Sequence, residues 1–130
     1  MNTIAYIQTP YSRFSKSEIK YQKSLINKYC KTKKYFLMST FKEVADGDIF
    51  YRPEWRKLIE YIKSGKGQIQ KIVFTQWERL SNDAYVTHQA IKELQKLNVE
   101  VECILQPLDM SIHDNLLSLH IWFRDNVEVE

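Results

Sequence analysis

Residues 52–83 read RPEWRKLIEYIKSGKGQIQKIVFTQWERLSND. Pro53 stands where a helix would begin, a position that suits a fixed φ and a missing N–H. Trp55, Leu58, Ile59 and Ile62 fall on one face of that helix. The run SGKGQ ends it. KIVF (71–74) then continues without polar alternation, as expected of a parallel strand covered on both faces. A helix feeding such a strand through a short turn is part of a β-α-β unit, so this stretch decides the fold class.

The flanking chain repeats the theme. IAYI (4–7) is a buried strand, and Pro10 closes it, since proline fits a strand end better than a strand centre. Ser15 and Glu18 have capping-box spacing at the start of a first helix. Tyr21, Leu25 and Tyr29 recur on its inner face, with Ile26 and Cys30 beside them and lysines pointing away. YFLMSTF (35–41) is a second strand, and EVADGDIFY (43–51) a turn-rich loop. TQWERLSND leads from the third strand to a helix capped by Asn82 or Asp83, in which Thr87, Ala90, Ile91, Leu94 and Leu97 share a face. Asn98 ends it in a left-handed turn. VEVECIL (99–105) is a fourth strand, and Leu116, Leu119 and Phe123 suggest a last helix. The order predicts an α/β, three-layer fold, with a mostly parallel sheet of four to five strands and helices on both faces.

At 130 residues with 44% hydrophobic content, the chain is one domain able to bury a core. No apolar run reaches membrane-spanning length, and no signal-peptide core follows Met1, so a cytoplasmic protein is expected. Cys30 and Cys103 lack metal-ligand spacing and read as buried thiols rather than a disulfide. His88, His113 and His120 are scattered, and Glu43, Asp46 and Asp48 read as a solvated turn, so neither a metal nor a cofactor is expected. No glycine-rich nucleotide loop is present. Charge is uneven. Met1–Thr75 carries 15 Lys+Arg against 6 Asp+Glu, and Gln76–Glu130 carries 4 against 10. Such a split suits a face that meets a polyanion, or simply lysines solvating helices.

Chemistry in such folds sits in the loops past the strand ends. Arg52 precedes Pro53 at a helix start, and Glu78 and Arg79 directly follow the third strand. Two arginines from separate loops at one sheet edge suit a phosphodiester. The alternative is that Arg79 pairs with Glu43 or Glu78 and staples the loops together.

Taken together, IAYIQTPYS, DGDIFYRPEWRKLIEYIKSGKGQIQKIVFTQWERLSND and AIKELQKLNVEVECILQPLDMS resemble, in order and spacing, the N-terminal catalytic domain of serine recombinases (resolvases and invertases), especially those of mobile elements. The resemblance implies DNA strand exchange through a phosphoserine link, with arginines stabilising the transition state. Arg52 and Arg79 match phosphate-binding arginines. Glu78 and Glu43 match aspartates, the latter in a mobile loop. Asp46 and Gly47 stand at a Ser-Gly pair, and Gln22 at a glutamine of the first helix. Pro10 stands at the nucleophilic serine. Gln8 and Asn82 stand at two further arginines, and neither side chain replaces a guanidinium. Ser12 is the candidate for a displaced nucleophile, ahead of Ser15, and the expectation is that it does not compensate.

The resemblance also implies that residues 1–130 are a single catalytic-type domain in which the long dimer helix is truncated and the DNA-binding domain absent. Leu116, Leu119, Ile121, Trp122 and Phe123 are candidates for a dimer surface or for covering the domain's own sheet. The expected partner is DNA, held non-specifically by its phosphates, with a homodimer or a heterodimer with an active recombinase possible. The alternatives to an impaired recombinase are a catalytically dead regulatory partner and a DNA- or phosphate-binding module.

Overall fold

The computed structural model describes residues 1–107. Four strands, β1 (Asn2–Thr9), β2 (Phe36–Val44), β3 (Lys71–Phe74) and β4 (Glu100–Cys103), form one sheet in the order β2-β1-β3-β4. Every neighbouring pair is parallel. The connections are α1 (Ser15–Lys33), α2 (Pro53–Ser64) and α3 (Ala84–Lys96). The fold is thus the expected α/β arrangement, with four strands among the described residues. The suggested last helix and the candidate dimer surface lie outside them. No described helix is long and apolar enough to cross a membrane.

The central strand explains the layering. Successive side chains of β1 point to opposite faces. Ile4 and Tyr6 join Ile72 and Phe74 against α2 and α3, while Ala5 and Ile7 join Val73 against Ile26 and Cys30 of α1. Both faces are therefore dry, which is why KIVF shows no alternation. Cys30 and Cys103 are free and buried in cores on opposite faces of the sheet. Burial pushes the Cys103 thiol up to about 12, so it stays protonated.

Helix ends follow their local chemistry. Pro53 opens α2, and Gly65 closes it at φ 71°. Asp83 caps α3 by accepting from the amides of Tyr85 and Val86. Asn98 turns the chain at φ 61°.

Three local expectations are corrected. Ser15 is not the cap of α1. Phe14 holds that position without a side-chain bond, because the Ser15 hydroxyl is spent on the preceding loop, accepting from the Ser12 amide at 2.9 Å. The buried face of α1 is Gln22, Ile26 and Cys30, one residue round from Tyr21, Leu25 and Tyr29, and Tyr21 is exposed. The second strand runs three residues beyond Phe41, so Glu43 sits in β2 and not in a loop.

At the N-terminal edge of the sheet, Lys71 is buried and donates to Glu102 (2.6 Å) and to the Tyr35 hydroxyl (3.1 Å). The Tyr29 and Tyr35 hydroxyls also donate to Glu102. Burial raises the Glu102 carboxyl, but the bonds from Lys71 and the two tyrosines outweigh it and hold the group below its ordinary value. Its contribution to stability is therefore present at neutral pH and lost as pH falls through the depressed folded value. Lys71→Met should cost about 2–3 kcal/mol in urea denaturation at pH 7. The acid loss of stability should be shallower in that variant than in the parent.

Candidate functional site

The C-terminal ends of β1, β2 and β3 open into a cleft of about 540 Å³. Gln8 lines it from the end of β1, Pro10 and Ser12 from the loop that follows, Asp46, Gly47 and Arg52 from the second loop, and Glu78, Arg79 and Asn82 from the third. The fold thus gathers residues spread over seventy-odd positions of chain. Glu43 lies beneath, 3% exposed.

Its role there is structural chemistry. Arg52 occupies the N-cap position of α2, and its side chain makes no capping bond. The amides of Glu54 and Trp55 donate instead to the Glu43 side chain, at 3.1 and 3.0 Å. An acid from another element thus closes the helix and suits its positive end. The buried Tyr6 hydroxyl donates to Glu43 (3.1 Å) and accepts from Arg52 Nη1 (3.3 Å). Burial pushes the Tyr6 phenol well above its ordinary value, so it remains a donor.

Arg52 is otherwise held by carbonyls, its Nε donating to Gly47 (3.1 Å) and its Nη1 to Arg79 (2.6 Å). Arg79 donates to the Gln8 carbonyl (3.0 Å) and the Gln76 side-chain oxygen (2.9 Å), and its buried Nε has no partner among the described residues. No described carboxylate forms an ion pair with either arginine, so the alternative in which Glu43 or Glu78 staples Arg79 is corrected. Glu43 is committed to the helix amides and Tyr6. A guanidinium fixed by neutral acceptors keeps its charge for an incoming anion. Glu18, Asp46 and Glu78 line the cleft and temper its potential.

The first loop offers little nucleophilic chemistry. Pro10 is exposed and carries no hydroxyl. Gln8 is buried, and its side-chain amide donates to the Ala45 carbonyl (2.8 Å). Ser12 lines the cleft, and its Oγ accepts from the Phe14 amide at 3.0 Å. Ser15 Oγ bonds to the carbonyls of Pro10 and Ser12, each at 2.9 Å. Gln22 brackets the Gln8 peptide, donating to its carbonyl (2.8 Å) and accepting from its amide (3.3 Å). Asn82 is exposed. No group of described His, Cys, Asp and Glu residues is arranged to hold a metal.

The family model described as "Resolvase, N terminal domain" matches residues 6–122. The chain belongs to this resolvase family. No curated protein matches it. Among solved structures it is similar to the N-terminal catalytic domain of TP901-1 integrase, at 20% identity and a TM-score of 0.74 over 95% of this chain and 92% of that one. It is also similar to a resolvase-family site-specific recombinase from Streptococcus pneumoniae, at 17% identity and a TM-score of 0.71 over 95% and 85% of the two chains. The catalytic domain of ISC1926 TnpA, an IS607-like serine recombinase, matches at 17% identity and a TM-score of 0.71, over 80% and 70%. The chain is a recombinase catalytic-domain homologue.

Sequence reasoning missed Tyr6 and Gln76, which hold the two arginines of this resolvase-family cleft. Tyr6 had a signal: a tyrosine on the inward face of a buried strand needs a partner for its hydroxyl. Gln76 had none, because only the turn at Trp77–Arg79 brings it against Arg79. Glu43→Ala should cost about 3 kcal/mol, since it orphans two helix amides and a phenol, and Tyr6→Phe about 1 kcal/mol. Because the two share a hydrogen bond, the double variant should lose less than the sum in urea denaturation.

Proposed function

We propose that this chain binds the phosphodiester backbone of DNA through the Arg52–Arg79 cleft and does not cleave it. One observation carries the reading: a hydroxyl-free proline stands at position 10 of a cleft whose two arginines are held in place by neutral acceptors. In the serine recombinases the chain resembles, a serine at this position attacks DNA. Arg52 and Arg79 take the phosphate, and Glu43 and Tyr6 position Arg52. Gln8 and Asn82 leave the site two cations short. The protein works in the cytoplasm, as a DNA-bound homologue able to pair with itself or with an active recombinase.

Non-specific affinity has a second source. Lys16, Lys20, Lys23, Lys31 and Lys34 recur along the outer side of α1 and its C-terminal cap, all exposed, and none forms an ion pair among the described residues. A helix face of one sign tracks a polyanion. Duplex affinity should therefore fall steeply with salt, and replacing Lys16, Lys20 and Lys23 with Gln should flatten the log–log salt slope by about 2–3.

The cleavage test is nicking of supercoiled DNA with trapping of a covalent adduct. The parent should give neither nick nor adduct. The triple variant Pro10→Ser, Gln8→Arg, Asn82→Arg should gain adduct. A parent adduct that Ser12→Ala abolishes would overturn the reading and make Ser12 the nucleophile.

A further inference from the structure

Four aromatic side chains on the segments that carry the cleft stand in water. Tyr11 is 79% exposed and Phe14 60%, both on the loop after β1. Tyr51, at 81%, directly precedes Arg52, and Tyr85, at 58%, lies in the first turn of α3, three residues past Asn82. Phe14 lines the cleft itself, and Tyr11 lies between the lining residues Pro10 and Ser12. The first two loops that carry the cleft and the helix that follows the third thus present exposed rings, whereas Tyr6, inside the sheet, is fully buried.

The rings are mixed with cations. The Arg13 guanidinium lies over the Phe14 ring, 4.9 Å from its centroid. Arg52 and Arg79 sit between the ring-bearing loops with no carboxylate paired to them among the described residues. Exposed aromatics beside cations form the surface on which unpaired bases stack while their phosphates are neutralised. In a duplex the base faces are occupied by their neighbours, so such rings gain nothing from it. The three acidic residues of the lining also limit what phosphate contacts alone deliver, which leaves stacking as the larger local contribution.

We propose that the cleft rim is a stacking platform for single-stranded or unpaired DNA, with Tyr11, Phe14, Tyr51 and Tyr85 taking base faces while Arg52 and Arg79 hold the intervening phosphates. The proposal rests on the phosphodiester reading of the cleft and adds the strandedness of its ligand.

The test is fluorescence anisotropy of the full chain with a labelled twelve-nucleotide single strand, the same strand with abasic sites, and the matching duplex. The expected result is tighter binding of the intact single strand than of either other probe. Tyr51→Ala and Tyr11→Ala should each weaken single-strand binding roughly 5- to 150-fold and leave duplex binding unchanged. Tyr51→Phe should retain affinity, because the ring and not the hydroxyl is used. Equal affinity for single strand and duplex, insensitive to the tyrosine variants but reduced by Arg79→Ala, would overturn the platform and leave the phosphodiester reading standing. No binding of any probe would overturn both. If the tyrosine variants instead abolish self-association in light scattering, with nucleic-acid binding untouched, the rim is a protein interface and the proposal is overturned.

Discussion

Glu43 holds the site together. The N-terminus of α2 has no side-chain cap of its own, since its N-cap residue is Arg52 and its first helical residue is Pro53. Two buried amides would be left without acceptors if nothing else reached them. Glu43 reaches them from β2, and only because that strand continues in register beside β1 as far as Thr9 and Val44. Tyr6, two residues before Gln8 on the central strand, completes the bridge from Glu43 to Arg52. Sheet register thus sets where the buried Arg52 guanidinium points. A slip of one residue would send Tyr6 and Glu43 to the wrong faces and free Arg52.

The way the arginines are held separates two functions a charged loop can have. A buried guanidinium tied to a carboxylate is a staple, and its charge is cancelled where it stands. Arg52 and Arg79 are tied to peptide carbonyls, a phenol and an amide, which fix direction without cancelling charge. Arg52 even donates to the backbone of Arg79, so the second and third loops are locked to one another through the cation itself. The same molecule shows the opposite solution at the other end of the sheet, where Lys71 is neutralised by Glu102 with support from two tyrosines. One edge spends its charge on stability, and the other keeps it available.

Much of this was legible in the sequence, for identifiable reasons. The unalternating KIVF, the amphipathic α2 and the left-handed Gly65 and Asn98 depend on local pattern alone, and each stands where that pattern puts it. The cleft's membership was also legible, because strand order sends the three loops to one edge. What was not legible depends on side chains meeting across the fold. Glu43 looked like part of a polar loop, since EVADGDIFY is rich in turn residues, yet pairing with β1 carries the strand through it. The face of α1 was misread because apolar spacing favoured Tyr21, Leu25 and Tyr29. The Gln22 amide is buried instead, where it pairs with the Gln8 peptide. A buried polar residue that completes a backbone bond is invisible to a hydrophobic pattern.

Gln8, Pro10 and Asn82 differ in what they do for the fold. Asn82 is exposed and takes no part in the core, so its identity is open to change. Pro10 follows the last residue of β1, where a missing N–H removes no ladder bond and a fixed φ suits the exit of the chain. Gln8 is different. Its amide ties β1 to the Ala45 carbonyl, in the segment that also carries Gly47 and Arg52. An arginine there would give up that tie unless its own guanidinium reached the same carbonyl. Gln8 is therefore tied into the framework by its side chain, while Pro10 and Asn82 are not. A change of side chain at position 10 or 82 is structurally cheap in this fold, and one at position 8 is the harder change.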